Sequence, residues 1–337
     1  MPGANPMEAA RIIAGELPDF PHLAELPGRG PGADLTGRTA ALLVDIPVEV
    51  TPRGWRIAEH PGRDLRRARA MLSSDLDAME EALDGYKGLL KIQLAGPWTL
   101  AATIEQPRSL NPALADPGLV ADLASSLAEG AAAHVAEVSK RLPQATLAVQ
   151  FDEPALPAVI RGSVPTASGL SRVRTPDEEV LRERLQHVLS APGRYTIVHC
   201  CARNSPFGLV AQSGADAVSF DISLLAHADY DELAAIAEAG AGLLAGVQGG
   251  SGGRVVPPSG GSPGGRPPGE IQTPTDTARA VAEVWRKMSL PPEQCAQQVV
   301  VTPACGLAGA SPAQARETLR WCREAASILP EMMGEMA

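Results

Sequence analysis

A chain of 337 residues, 45% of them hydrophobic, is long enough to bury a large core, and with only 3% aromatics that core has to be built from Ala, Leu and Val. The formal net charge of −10 argues against a nucleic-acid-binding surface. No apolar run reaches membrane-spanning length and no secretory leader is visible, and five cysteines, an odd number, do not read as a disulfide framework, so a cytoplasmic protein with no membrane partner is expected.

The chain opens with a short helical pattern over residues 7–13, followed by proline and glycine punctuation up to Gly37. The continuous apolar run over residues 40–47, ending in Asp45-Ile46-Pro47, predicts a first strand covered on both faces. Apolar residues three and four apart (Leu65, Ala68, Leu72, Leu76, Met79) predict a helix over 64–83. A strand over 90–95 is stopped by Gly96-Pro97, and a helix over 117–142 leads to a strand at 145–151 that runs into Asp152-Glu153-Pro154. After a helix over 177–189, the β-branched run Tyr195-Thr196-Ile197-Val198 predicts a buried strand ending in His199-Cys200-Cys201. Helices over 206–213 and 228–239 alternate with strands at 217–221 and 242–247. Residues 249–274 are rich in Gly, Pro and Ser and are expected to form a disordered loop. A helix over 275–288, a strand at 298–302 and a helix over 312–329 close the series.

Strands alternating with helices at this spacing indicate a parallel sheet with right-handed crossovers. With seven strands visible, the expected fold class is α/β, a TIM-type (β/α)8 barrel in which one strand is missing or truncated. It forms a single catalytic domain over residues 1–337, and a doubly wound open sheet is the alternative. In a barrel the carboxyl ends of the strands converge on one face. Those ends carry Asp45, Asp152, Glu153, His199, Cys200, Cys201, Asp221 and Cys305. His199, Cys201, Asp221 and Cys305 together make an N, S, O, S donor set of the kind that zinc accepts. His199 and Cys201 are two apart and point to one side of an extended strand, which turns Cys200 away. The competing readings are a core histidine with inert thiols, and an Asp221 that caps a helix. Cys295 and Cys322 fall in or beside helices and read as ordinary thiols.

Five motifs, in order, resemble those of the cobalamin-independent methionine synthase family. They are Leu94-Ala95-Gly96-Pro97-Trp98-Thr99, Gln150-Phe151-Asp152-Glu153-Pro154-Ala155-Leu156, His199-x-Cys201, Val218-Ser219-Phe220-Asp221 and Val301-Thr302-Pro303-Ala304-Cys305-Gly306-Leu307. The resemblance is to the catalytic carboxyl-terminal barrel and implies a short, single-barrel member. Its missing strand is the first, and the family's opening Ile-Gly-Ser-like segment is expected just before Met1. By resemblance, His199, Cys201, Asp221 and Cys305 match the zinc ligands, with Asp221 where relatives often have Glu. Asp152 matches the catalytic, substrate-binding aspartate that takes the homocysteine amino group, with Glu153 beside it.

The activity implied is a zinc-dependent transfer of a methyl group to a thiol, homocysteine becoming methionine, with methyltetrahydrofolate or a methyl-corrinoid as donor. At two positions where the family contacts folate, this chain has Thr103 in place of a tryptophan and Ala158 in place of an acid, and no counterpart of the proton-donating histidine follows Val247. The alternatives are a catalytically impaired barrel that binds zinc or thiols, and a metal-free decarboxylase of the uroporphyrinogen type.

Overall fold

A computed structural model of the chain describes residues 1–247 and 273–335. In chain order the helices are α1 (Pro6–Glu16), α2 (Leu35–Ala40), α3 (Arg63–Ala82), α4 (Pro97–Thr103), α5 (Pro117–Arg141), α6 (Leu156–Ile160), α7 (Glu178–Ser190), α8 (Phe207–Gln212), α9 (His227–Glu238), α10 (Pro274–Lys287), α11 (Pro292–Gln298) and α12 (Pro312–Glu335). The strands are β1 (Val48–Thr51), β2 (Gly54–Ile57), β3 (Leu89–Ala95), β4 (Thr146–Asp152), β5 (Tyr195–Cys200), β6 (Ala217–Asp221), β7 (Gly242–Val247) and β8 (Val299–Pro303). Strands β1 and β2 form a separate antiparallel hairpin. The other six pair in parallel in the order β3-β4-β5-β6-β7-β8, each joined to the next through helix, as a barrel wall requires. The sheet curls without closing among the described residues, which is the architecture of a truncated TIM-type barrel.

Strand alternation sorts this wall into two faces. Leu90, Ile92, Leu94, Leu147, Val149, Phe151, Val198, Val218, Phe220, Leu243, Ala245 and Val301 point outward and belong to the main core with the surrounding helices. Ala148, Ile197, Ala217 and Leu244 point inward and form a small separate cluster with Phe20 and Val300. The inner face above that cluster is polar, with Gln150, Asp152, His199 and Ser219 on it.

Residues 40–47 are not a strand. The Asp34 carboxylate accepts Gly37 N–H at 2.6 Å and starts α2, so Ala40 completes a helix and the run continues as a turn. Ala40, Ala41 and Leu43 are buried and Leu42, Val44 and Ile46 half-buried, with α5 against the run: Gly130 packs on Leu42 O, and Ser126 Oγ donates to Val44 O at 2.7 Å. Asp45, at φ 58°, stands in that turn and not at a strand end. The place beside β3 goes instead to residues 21–23. There Lys91 N–H donates to Pro21 O and Leu23 N–H to Lys91 O, both at 2.9 Å, in a one-residue parallel bridge at His22. A short apolar run looks the same whether sheet or helices cover it.

Most of the expected 249–274 loop lies outside the described residues; its last two, Thr273 and Pro274, are ordered as the N-cap and first residue of α10. Ile12, Ile13, Leu26, Ala315 and Leu319 join α1 to α12 in a second buried cluster. Within the described residues no helix is long and apolar enough to cross a membrane.

Candidate metal and substrate site

The parallel register places Asp152, His199 and Ser219 side by side on β4, β5 and β6. The ladder continues past the strand ends: Gly96 N–H donates to Asp152 O at 2.8 Å and Glu153 N–H to His199 O at 2.7 Å. The backbone carrying the chemistry is therefore as fixed as the sheet itself. His199 Nδ1 lies 2.8 Å from Ser219 Oγ, which sets the ring's orientation and leaves Nε2 for another partner. Burial holds His199 near pKa 4, helped by the charge of Lys91, so the imidazole is neutral at pH 7 and can act as a ligand.

Just beyond β5 and β8, Cys201 Sγ and Cys305 Sγ stand 3.7 Å apart. Bonded sulfurs would lie at about 2.05 Å. Two sulfurs held at about 2.3 Å by one tetrahedral ion lie about 3.8 Å apart, so this spacing fits a shared metal. The contact makes the first proton of the pair easy to remove and the second hard. The hydrogen bond from Cys201 lowers Cys305 to about 6, while Cys201 is pushed above the ordinary thiol range. Cys200 faces away and is buried, and burial raises its pKa. Cys295 and Cys322 are buried thiols held near 12 by desolvation.

Asp221 ends β6, and its charge acts on Cys305. Its Oδ1 also accepts Ser223 N–H at 2.8 Å, so capping and a place near the thiols hold together. Among the described residues no three His, Cys, Asp or Glu side chains gather closely enough to hold a metal ion. The two thiols meet, and His199 and Asp221 do not close on them.

Asp152 is buried on the inner face, and its Oδ1 accepts Gln150 Nε2–H at 2.7 Å. Burial, reinforced by the charge of Glu25, raises it to about 8 against the opposing pull of Lys91 and Gln150. Glu153 is fully buried and points the other way. Its carboxylate accepts Trp98 N–H at 2.9 Å, Thr99 N–H at 2.7 Å and Thr99 Oγ–H at 2.7 Å, closing the first turn of α4. Desolvation lifts it to about 7 against those three donors.

The model of the family described as cobalamin-independent synthase, catalytic domain, matches residues 22–250. The chain belongs to that family, the cobalamin-independent methionine synthases. Among solved structures, a B12-independent methionine synthase from Shewanella sp. W3-18-1 in complex with selenomethionine is similar at 15% identity and a TM-score of 0.50. The match covers 77% of this chain and 67% of that one, and it supports the fold. Comparison with curated proteins gives no match.

Within this barrel the structure brings Cys201 and Cys305 together, and the charges of Asp221 and Asp152 act on them. It takes Glu153 out of reach of a ligand and makes it the link between the Gly96-Pro97-Trp98-Thr99 and Asp152-Glu153-Pro154 motifs. One signal for that role was available. Helix α4 opens with Gly96-Pro97, without a side-chain cap of its own, so its free N–H groups need an acceptor from elsewhere. Thr103 lies in the last turn of α4 with its hydroxyl on Thr99 O at 2.7 Å. Sequence reasoning passed over Lys91 and Gln150, whose side chains meet on the inner face at 2.8 Å.

Proposed function

We propose that this barrel transfers a methyl group to the thiol of homocysteine, giving methionine, with zinc held by His199, Cys201, Asp221 and Cys305. The observation that carries the reading is the pair of sulfurs 3.7 Å apart, delivered by two different strand ends beside a buried aspartate. Family membership supports methyl transfer of the methionine synthase type.

A bound zinc ion supplies the acidity that converts a substrate thiol into a thiolate at neutral pH. The chain's own residues do the rest. Ser219 orients the His199 ring, and burial keeps that ring neutral and free to ligate. Asp152 binds the ammonium of the amino-acid substrate through a charge-assisted hydrogen bond, and the incoming cation supplies the charge balance its carboxylate lacks in a buried setting. In the transfer the sulfur's electron pair forms the new S–C bond, and the bond between methyl and donor breaks, with its electrons leaving on the donor. Methyltetrahydrofolate and a methyl-corrinoid are the two donors to be distinguished. The free cysteines fit a reducing compartment, and the cytoplasm is the proposed location.

Metal analysis of the purified protein is the first test, with one zinc per chain expected and loss of that zinc in Cys305→Ser. Methionine formation from homocysteine is then assayed with each donor separately. A folded protein without zinc, or no methionine with either donor, overturns the reading.

A further inference from the structure

We propose that Lys91 and Gln150 form a positioning relay that commits one oxygen of Asp152 and leaves the other for the substrate's ammonium group. This rests on the reading of Asp152 given above. Strands β3 and β4 pair so that Lys91 lies beside Ala148 and Gln93 beside Gln150, with all four on the inner face. Lys91 Nζ donates to Gln150 Oε1 at 2.8 Å, and Gln150 Nε2 donates to Asp152 Oδ1 at 2.7 Å. The neighbouring Gln93 is engaged elsewhere, donating to Leu23 O at 2.7 Å.

An ammonium group has donors and no acceptor, so it can meet only the oxygen end of the Gln150 amide. That fixes the amide's direction and turns its NH2 toward Asp152. Without Lys91 the amide is free to turn over, and its oxygen would then face a carboxylate oxygen. Gln150 and Asp152 are both buried, where such a mismatch is not relieved by water. Asp152 Oδ2 accepts no hydrogen bond from a described residue, and it is the oxygen left to a ligand. Lys91 and Gln150 are positioning residues in this scheme, since both act through Asp152.

The test compares L-methionine with 4-(methylthio)butanoate, which lacks only the amino group, by isothermal titration calorimetry. Wild-type protein is expected to prefer L-methionine by roughly 10–100-fold, the worth of one charge-assisted hydrogen bond. Lys91→Met and Gln150→Met should each reduce that preference about tenfold while the affinity for the des-amino ligand changes less than about threefold. The double variant should lose no more than either single one, and Lys91→Arg should restore most of the preference. Thermal melts identify a variant that does not fold; Gln150→Met then carries the test alone. Retention of the preference in Gln150→Met overturns the relay, including the case where Lys91→Met loses it, because Lys91 would then be acting on Asp152 directly through its charge. If wild-type protein does not distinguish the two ligands, it is the ammonium-binding role of Asp152 that fails, and the relay falls with it.

Discussion

Replacing Gly96 by Ala tests the junction that carries the site. Gly96 has φ −76°, an ordinary backbone value, so the substitution imposes no backbone strain. What it imposes is a collision: the new Cβ would sit 2.4 Å from Glu153 Oε1, 2.5 Å from Cδ and 2.6 Å from Cγ. The far end of a flexible surface chain would swing away, but this carboxylate is fully buried and held by three donors. Either the strand–helix junction opens, at about 1–3 kcal/mol for an overpacked site, or Glu153 moves and strands buried donors at roughly 1–3 kcal/mol each. A loss of about 2–4 kcal/mol follows, seen as a lower urea midpoint with an unchanged slope. Glu153→Asp withdraws the carboxylate by one methylene and gives the Cβ room. The double variant should therefore be more stable than the sum of the two single changes, by about 1 kcal/mol or more. A Gly96→Ala protein within about 0.5 kcal/mol of wild type, the ordinary scatter of surface substitutions, would refute the reasoning.

Burial lowers His134 on α5 to about 4, with a contribution from the charge of Arg38. The unfolded chain takes up this proton near pH 6.5 and the folded one only near 4, so stability is full above about 6.5 and falls as pH drops toward 4, by at most roughly 3 kcal/mol. His134→Gln should flatten that part of the stability–pH curve, as measured by urea unfolding at stepped pH. Asp75 is buried and accepts from Arg29 and Arg38, each at 2.7 Å on the same oxygen. Asp75→Asn leaves Arg29 without this buried counter-charge and Arg38 with Glu25 alone, 3.4 Å away, and should cost about 3–5 kcal/mol in the same unfolding assay. On the proposed zinc site, Cys200→Ala should leave zinc content unchanged and Cys201→Ser should abolish it; loss in Cys200→Ala with zinc retained in Cys201→Ser would reverse the assignment of the two neighbours.

The alternation of strand and helix made the barrel legible, because most outward strand residues are apolar and β3, β4, β6 and β8 end at or beside a proline, glycine or charged residue. Residues 40–47 misled because their apolar character is real and their burial is real, while the surface that covers them is α5 and not neighbouring strands. The true neighbour of β3, residues 21–23, pairs through a single bridge between prolines and carries no alternating pattern to read. At the site, the parity that sends His199 and Cys201 one way and Cys200 the other is a property of extended chain and could be read directly. That Asp152 and Glu153, adjacent and chemically alike, face the inner side of the sheet and a helix end respectively follows from the same parity. The relay from Lys91 could not be read, since it depends on the register between β3 and β4, which no local pattern encodes.

Cys201 and Cys305 lie just beyond the ends of β5 and β8, which are not neighbours in the sheet; β6 and β7 lie between them. Their sulfurs meet because the wall curls, so the distance between them is a chord drawn across an arc. An ion gripping both ends works as a clasp on that arc. Its binding free energy resists flattening of the three strand–strand junctions from β5 to β8, and loosening of β6 or β7 weakens its grip in return. On the proposed zinc site, metal affinity would thereby gauge sheet curvature, and a substitution far from either thiol, anywhere along that arc, would be able to change it.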